Sequence, residues 1–280
     1  MIMKRSSRCF YRRKYRKKTS ILLPAVMILA ILFPGCAKEQ ADDPSLSAVL
    51  SAGKLVIGMD ENYPPMGFRD ANGDITGFDV DLAKEACKRI GVEAVFQPIS
   101  WDEKENDLYS GNIDCIWNGL SVNPARQETM RLSESYIKND VVYVVTGGSG
   151  IKSVDDLTGK KIGVQAGSSA EDCLRGEEGP RGSELVTADD NVALFSQLDA
   201  GTLDAVAIDS IFAYYYITEN GKDYFVLSTV IETEEMAIGF RKPDGALCDK
   251  IQETLRTMKG DGTLAQISTK WFGTDVTIVK

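Results

Sequence analysis

The sequence of 280 residues contains no histidine, and its six cysteines include no Cys-x-x-Cys pair. The usual nitrogen and sulfur ligands of a zinc centre are therefore missing, and neither a metal nor a cofactor is expected. Cys9 and Cys36 belong to the N-terminal region, whereas Cys87, Cys115, Cys173 and Cys248 are widely spaced. With Cys87 and Cys115 on apolar faces, the set reads as buried thiols acting as small hydrophobes rather than as a disulfide framework. Long apolar runs are also scarce. The longest, Ile21 to Phe33, is broken by Pro24 and falls short of a membrane span. Acidic residues are absent from the first 35 positions, which carry nine Lys and Arg between Lys4 and Lys18.

A basic stretch, a short apolar stretch and then Phe33-Pro34-Gly35-Cys36 read as an export signal over residues 1–35. An uncleaved signal anchor is the other reading of that stretch. Cys36 favours export, because a cysteine at this point resembles the bacterial lipobox, although Leu32 lies one place further out than that pattern has it. Lipidation at Cys36 is the expectation, with residues 36–52 as anchor and tether and the polar segment 37–47 at its centre. Without the nine basic signal residues, 23 basic face 41 acidic residues, a net charge of −18. Such a surface repels phosphates, which argues against nucleic acid as a partner. It does not attract anionic lipid headgroups either, so membrane attachment would rest on the acylated cysteine.

From Gly53 onward, short β-like runs alternate with helical ones. Strands are expected at 54–58, 94–98, 115–117, 141–145, 161–165, 205–209, 224–227 and 236–240. Helices are expected at 77–90, 102–110, 124–130, 191–199, 210–219, 245–259 and 263–271. Leu82, Ala83, Ala86, Cys87 and Ile90, for example, recur at helical spacing. Such alternation predicts a largely parallel sheet covered by helices. About 245 residues exceed what one compact unit usually needs, which favours two α/β lobes. Leu108 to Ile116 is echoed by Leu198 to Val206, each a helix end, a Gly suited to a left-handed cap and a strand.

The residues that follow these strands have complementary chemistry, and in open α/β sheets ligands sit at the carboxyl ends of strands. Asn118-Gly119-Leu120-Ser121 and Arg126 follow one strand, Asp209 ends another, and Gln165-Ala166-Gly167-Ser168-Ser169 opens a helix after a third. An Arg fork suits a carboxylate, main-chain N–H groups at Ser121 and Ser169 add donors, and Asp209 could neutralise an ammonium. Together they suit a zwitterion. Taken singly, Arg126 could be a surface ion pair, Asp209 a helix N-cap and Ser169 a first-turn residue.

Further motifs give this pattern a family. They are Gly58-Met-Asp60-Glu-Asn-Tyr63-Pro-Pro-Met-Gly-Phe68, Gly77-Phe-Asp-Val-Asp-Leu-Ala83, Gly111-Asn-Ile-Asp114, Gly119-Leu-Ser-Val-Asn-Pro-Ala-Arg126, Asp156 to Gln165, Leu203-Asp-Ala205 and Lys270-Trp-Phe-Gly273. In this order the chain closely resembles the polar amino-acid branch of the bacterial solute-binding proteins of family 3. The resemblance implies a periplasmic binding protein-like fold, with a ligand cleft between two lobes and a two-segment hinge near 140 and 234. Lobe one would be 53–139 plus 236–280, and lobe two 142–233. It also implies roles. Arg126 would clamp the ligand carboxylate with Ser121 and Ser169, and Asp209 would hold the amino group with the Gly119 carbonyl. Tyr63 and Trp101 would wall the aliphatic part, and Asp60 would face the ligand side chain. Ala125 stands where the family usually has Glu, and Met66 where Phe is frequent.

The function so implied is the extracytoplasmic binding component of an ABC importer, a monomer that delivers a polar or cationic amino acid to a membrane permease. Glutamine, arginine, lysine, histidine and cystine all stay open, with Gln165 and Asn118 bearing on the choice. An enzyme on the same scaffold would have to use Asp60, Glu61 or Asp209 as its acid or base. A sensory input domain would be expected to adjoin a transmembrane helix and a signalling module, neither of which follows before Lys280.

Overall fold

The computed structural model describes residues 43–176 and 179–280. The export signal, Cys36 and the first part of the expected tether lie outside the described residues. Among those described, no helix is long and apolar enough to cross a membrane.

The described chain opens with α1 (Ser45–Ala52) and β1 (Lys54–Met59), then a small antiparallel sheet of β2 (Asn62–Tyr63), β3 (Gly67–Arg69) and β4 (Ile75–Thr76). It continues through α2 (Phe78–Ile90), β5 (Glu93–Pro98), a 3-10 turn (Trp101–Glu103) leading into α3 (Lys104–Ser110), β6 (Cys115–Ser121), α4 (Pro124–Thr129), β7 (Met130–Leu132) and β8 (Ile137–Thr146). After a second 3-10 turn (Val154–Leu157) come β9 (Lys161–Gln165), α5 (Ser169–Arg175), β10 (Glu184–Ala188), α6 (Asn191–Asp199), β11 (Ala205–Asp209) and α7 (Ser210–Asn220). The long β12 (Tyr224–Arg241), α8 (Gly245–Gly260) and α9 (Thr263–Phe272) close the chain.

The main sheet runs β10-β9-β11-β8-β12-β6-β1-β5, with β7 paired to β12. Its two ends are parallel: β6, β1 and β5 at one, β10, β9 and β11 at the other. Strand β6 is buried at every position and β11 at all but its last, as expected where both faces of a parallel sheet are covered. Between the ends lie β8 and β12, antiparallel to each other from Tyr224↔Thr146 to Met236↔Ile137. These two strands carry the chain from one half to the other, at Asn139↔Glu234 and Asp140↔Thr233.

The internal echo has a structural meaning. Gly111 and Gly201 both take left-handed φ, 80° and 68°. The Asp that follows each caps the first strand of its half: Asp114 accepts from Val56 N–H at 2.8 Å and Asp204 from Lys161 N–H at 2.9 Å.

The observed elements differ from the sequence expectations in four places. Residues 45–52, expected to end a tether, form α1, whose Val49 is 4% exposed. The strands expected at 224–227 and 236–240 are one strand, because the polar residues 232–235 between them pair with β8 despite lacking apolar alternation. The hairpin of β2–β4 and strands β7 and β10 are too short or too weakly patterned to be read. Finally, Cys87, Cys115 and Cys248 are buried thiols, their burial pushing Cys87 up to about 12 and Cys248 to about 11, but Cys173 is only half-buried and donates to Glu232 Oε2 at 2.7 Å.

Candidate functional site

The carboxyl ends of β1, β6, β9 and β11 converge on one cleft. It is lined by Asp60, Tyr63, Trp101, Asn118, Gly119, Ser121, Arg126, Gln165, Ser168, Ser169 and Asp209, which close in on one another and leave little open space between them. All eight residues expected from the sequence therefore meet in one place, together with Asn118, Gln165 and Ser168. A roomier groove along Met130–Ser135 and Lys242 is open to solvent and lacks such a convergence of buried polar groups.

Arg126 is 4% exposed. The Asn123 side chain caps α4 by accepting the Arg126 N–H at 2.8 Å, which fixes the helix start that carries the guanidinium. Nη1 donates to the Ser121 carbonyl at 2.8 Å and Nη2 to the Gly167 carbonyl at 3.1 Å. It is thus no surface ion pair. Burial draws its pKa down, opposed first by the field of Glu234 and then by Asp172 and Asp209.

Asp209 stands at the N-cap position of α7 yet makes no capping bond. Its carboxyl instead accepts from the Tyr63 hydroxyl and from Asn139 Nδ2. Burial, and then the neighbouring Glu234, raise its pKa well above the carboxylate range. Ser169 opens α5 behind its cap Ser168 and lies Oγ to Oγ 3.2 Å from Ser121. Asp60 accepts from Gln165 Nε2 at 2.6 Å and from the Asn62 N–H at 2.8 Å, while its own N–H donates to Asn118 Oδ1 at 3.1 Å. Burial raises the Asp60 pKa, partly countered by those two hydrogen bonds to its carboxylate.

Gly119 has φ 60°, and a Cβ there would lie 2.7 Å from the Tyr63 ring, so only glycine fits without displacing that wall. The Gly119 N–H donates to Asp79 Oδ2 at 2.7 Å, which also accepts from the Tyr136 hydroxyl at 2.8 Å. Tyr63 is backed by Phe212 in a stacked pair 5.8 Å apart. Trp101, 7% exposed, has the Lys104 ammonium 5.2 Å from its ring centroid.

Three residues around the cleft were missed from the sequence. Lys104 reaches across to donate to the Gly167 carbonyl at 2.9 Å. Asn139 Nδ2 serves both Asp209 and Glu234. Glu234, 6% exposed, accepts from Ser121 Oγ at 2.7 Å and from Asn139 at 3.1 Å. The sequence signal for Asn139 and Glu234 is their position beside the crossing segments expected near 140 and 234. Among the described residues, no group of three potential metal ligands occurs.

A cleft built from the strand ends of two α/β halves, with two strands passing between them, defines the two-lobed binding-protein fold. The chain belongs to the bacterial extracellular solute-binding proteins, family 3, whose sequence profile matches residues 55–274. It is 32% identical over 257 residues to the L-cystine-binding protein TcyJ of Escherichia coli, covering 91% of this chain and 96% of that protein. It is 30% identical over 260 residues to the arginine-binding extracellular protein ArtP of Bacillus subtilis, covering 91% of this chain and 98% of that protein. The crystal structure of an ABC uptake transporter substrate-binding protein from Streptococcus pneumoniae with bound histidine superposes with a TM-score of 0.81 at 37% identity, covering 84% of this chain and 98% of that one.

Proposed function

We propose that the protein is the amino-acid-binding component of an ABC importer, taking a polar or cationic amino acid into this cleft and delivering it to a membrane permease. The observation that carries this reading is the meeting of one arginine and two acids, Arg126, Asp60 and Asp209, in one cleft. A free amino acid presents a carboxylate and an ammonium that such a set would neutralise. On this reading Arg126, Ser121 and Ser169 hold the carboxylate, and Asp209 with the Gly119 carbonyl takes the ammonium. Tyr63 and Trp101 wall the aliphatic stem, and Asp60 meets the side chain. The named ligands of the relatives, cystine, arginine and histidine, all carry polar or charged side chains.

The ligand would enter as lobe 53–139 plus 236–280 parts from lobe 142–233 about β8 and β12, and closure would present the docking form to the permease. The protein would act as a lipid-anchored monomer held through Cys36. It would bind without transforming its ligand: on this reading Asp60 and Asp209 serve as charge partners of the ligand, and Glu61 pairs with Arg69 at 2.6 Å.

A thermal-shift panel of the amino acids tests the reading. A bound ligand raises the melting temperature by mass action, by several degrees at a hundredfold excess over Kd. Arg126→Ala should abolish the shift, and an unchanged calorimetric affinity in that variant would sink the assignment of the carboxylate clamp.

A further inference from the structure

One group near the cleft has no part in the binding scheme above. Glu234 comes from β12, is 6% exposed, and lies beside the acid expected to take the ammonium. A single amide, Asn139 Nδ2, donates both to Glu234 Oε1 at 3.1 Å and to Asp209 Oδ1. Two carboxyls on one NH2 group lie within a few ångströms of each other, with Glu234 buried and Asp209 half-buried. Two such charges cannot easily coexist, since their repulsion grows as solvent is removed. Among the described residues, the charged and titratable groups around the pair are Arg126 from α4, Asp172 and Cys173 from α5, Tyr63 from β2, Glu232 from β12 and Lys104 from α3 beyond Arg126. Ser121 and Asn139 are its neutral partners. Among the described residues, the cationic charge close to Glu234 is that of Arg126, which in the binding scheme is engaged by the ligand carboxylate.

We propose that Asp209 and Glu234 share one proton, and that capture of an amino acid expels it. This rests on the reading of the cleft as an amino-acid site. The ligand's ammonium brings a positive charge to Asp209, and its N–H groups donate to the carboxylate that the shared proton had partly neutralised. The proton on the pair leaves to solvent, so that the ligated site holds two carboxylates against the ammonium and Arg126. No covalent bond forms or breaks besides that carboxyl O–H. Glu234 is then a positioning residue for the ammonium end, acting through Asp209 and Asn139. By linkage, a ligand that releases a proton binds more tightly as pH rises, by at most about tenfold per pH unit for one proton. The gain ends once the unliganded pair has lost its proton.

Titration calorimetry of the purified protein at pH 6 and 7, in phosphate and in imidazole, measures the released protons directly. L-arginine, L-lysine, L-glutamine and L-cystine are suitable probes, because none has a side chain that titrates in that range. For whichever binds, the wild type should release up to about one proton per ligand, and its affinity should rise from pH 6 to pH 7. Glu234→Gln, near-isosteric and uncharged, should reduce the released protons to near none and flatten the pH profile. Equal heats in the two buffers for the wild type, or an unaltered proton count in Glu234→Gln, would overturn the shared proton while leaving the amino-acid site standing. Failure of every amino acid to bind would instead overturn the functional reading, and this inference with it.

Discussion

Asp79 shows how a residue remote from any ligand contact shapes the cleft. It sits in the first turn of α2 and is 1% exposed, with its Oδ2 holding the Gly119 N–H and the Tyr136 hydroxyl. The left-handed Gly119 that abuts Tyr63 is thus anchored from behind by a buried carboxyl. Burial raises the Asp79 pKa to about 7, against the pull of those two hydrogen bonds. In the unfolded chain it ionises near pH 4, so between about 4 and 7 the folded state binds more protons and loses stability as pH rises. Asp79→Asn cannot ionise and escapes this loss, which amounts to up to about 1.4 kcal/mol per pH unit within the window. The melting temperature of the variant relative to the wild type should therefore climb between pH 5 and pH 8. A constant difference across that range would show that Asp79 is ionised throughout. In sequence, Asp79 reads only as an acid favoured at a helix start, because its true partners lie 40 and 57 residues away.

Partnership across the chain also explains the element that composition misread. Segment 36–52 is polar at its start and reads as a tether, yet α1 packs on α8 through Val49 and Leu46. Helix α8 lacks a cap of its own, for Asp244 makes no capping hydrogen bond. Its first N–H groups are met instead from the start of α1 and the residue two places before it: Ser45 Oγ accepts from Leu247 at 3.1 Å and Asp43 from Ala246. A helix capped from 202 residues away carries no local signature. By contrast α2, α6 and the helices after β12 were legible to within a residue or so, because their apolar spacing points to one buried face. Losing a helix cap costs about 1 kcal/mol, so Asp43→Ala with Ser45→Ala should lower unfolding stability by about 1–2 kcal/mol. Neither residue reaches the cleft, and the thermal shift given by a bound amino acid should persist in the double variant. A melting curve superimposable on the wild type would mean that water caps α8 equally well.

At the scale of the whole molecule, the sequence made the two-lobed alternation and the eight clustered residues readable, since strand ends and family motifs are local features. The contacts that span the cleft were not. Lys104 to Gly167, Arg126 to Gly167, Gln165 to Asp60 and Ser121 to Ser169 each join residues 41–105 positions apart. They depend on how the halves meet rather than on any pattern within one half. Glu234 stayed hidden for a related reason: the polar run at 232–235 suggests an exposed connection, whereas the crossing of β8 and β12 buries its third residue. If ligand enters only when the lobes part, a covalent staple across these contacts should block it. Ser121 and Ser169 offer the place, their Oγ atoms being 3.2 Å apart, a separation from which two sulfurs could approach bonding distance with a modest rotamer change. Ser121→Cys with Ser169→Cys, in a Cys173→Ser background that removes the half-buried thiol on the same helix, should form a disulfide under oxidation. The oxidised protein should show no thermal shift with any amino acid, and dithiothreitol should restore whatever shift the reduced variant gives. Amino-acid uptake at the reduced rate by the oxidised form would mean that the ligand reaches its site without the lobes separating, and that β8 and β12 serve as a fixed bridge rather than a hinge.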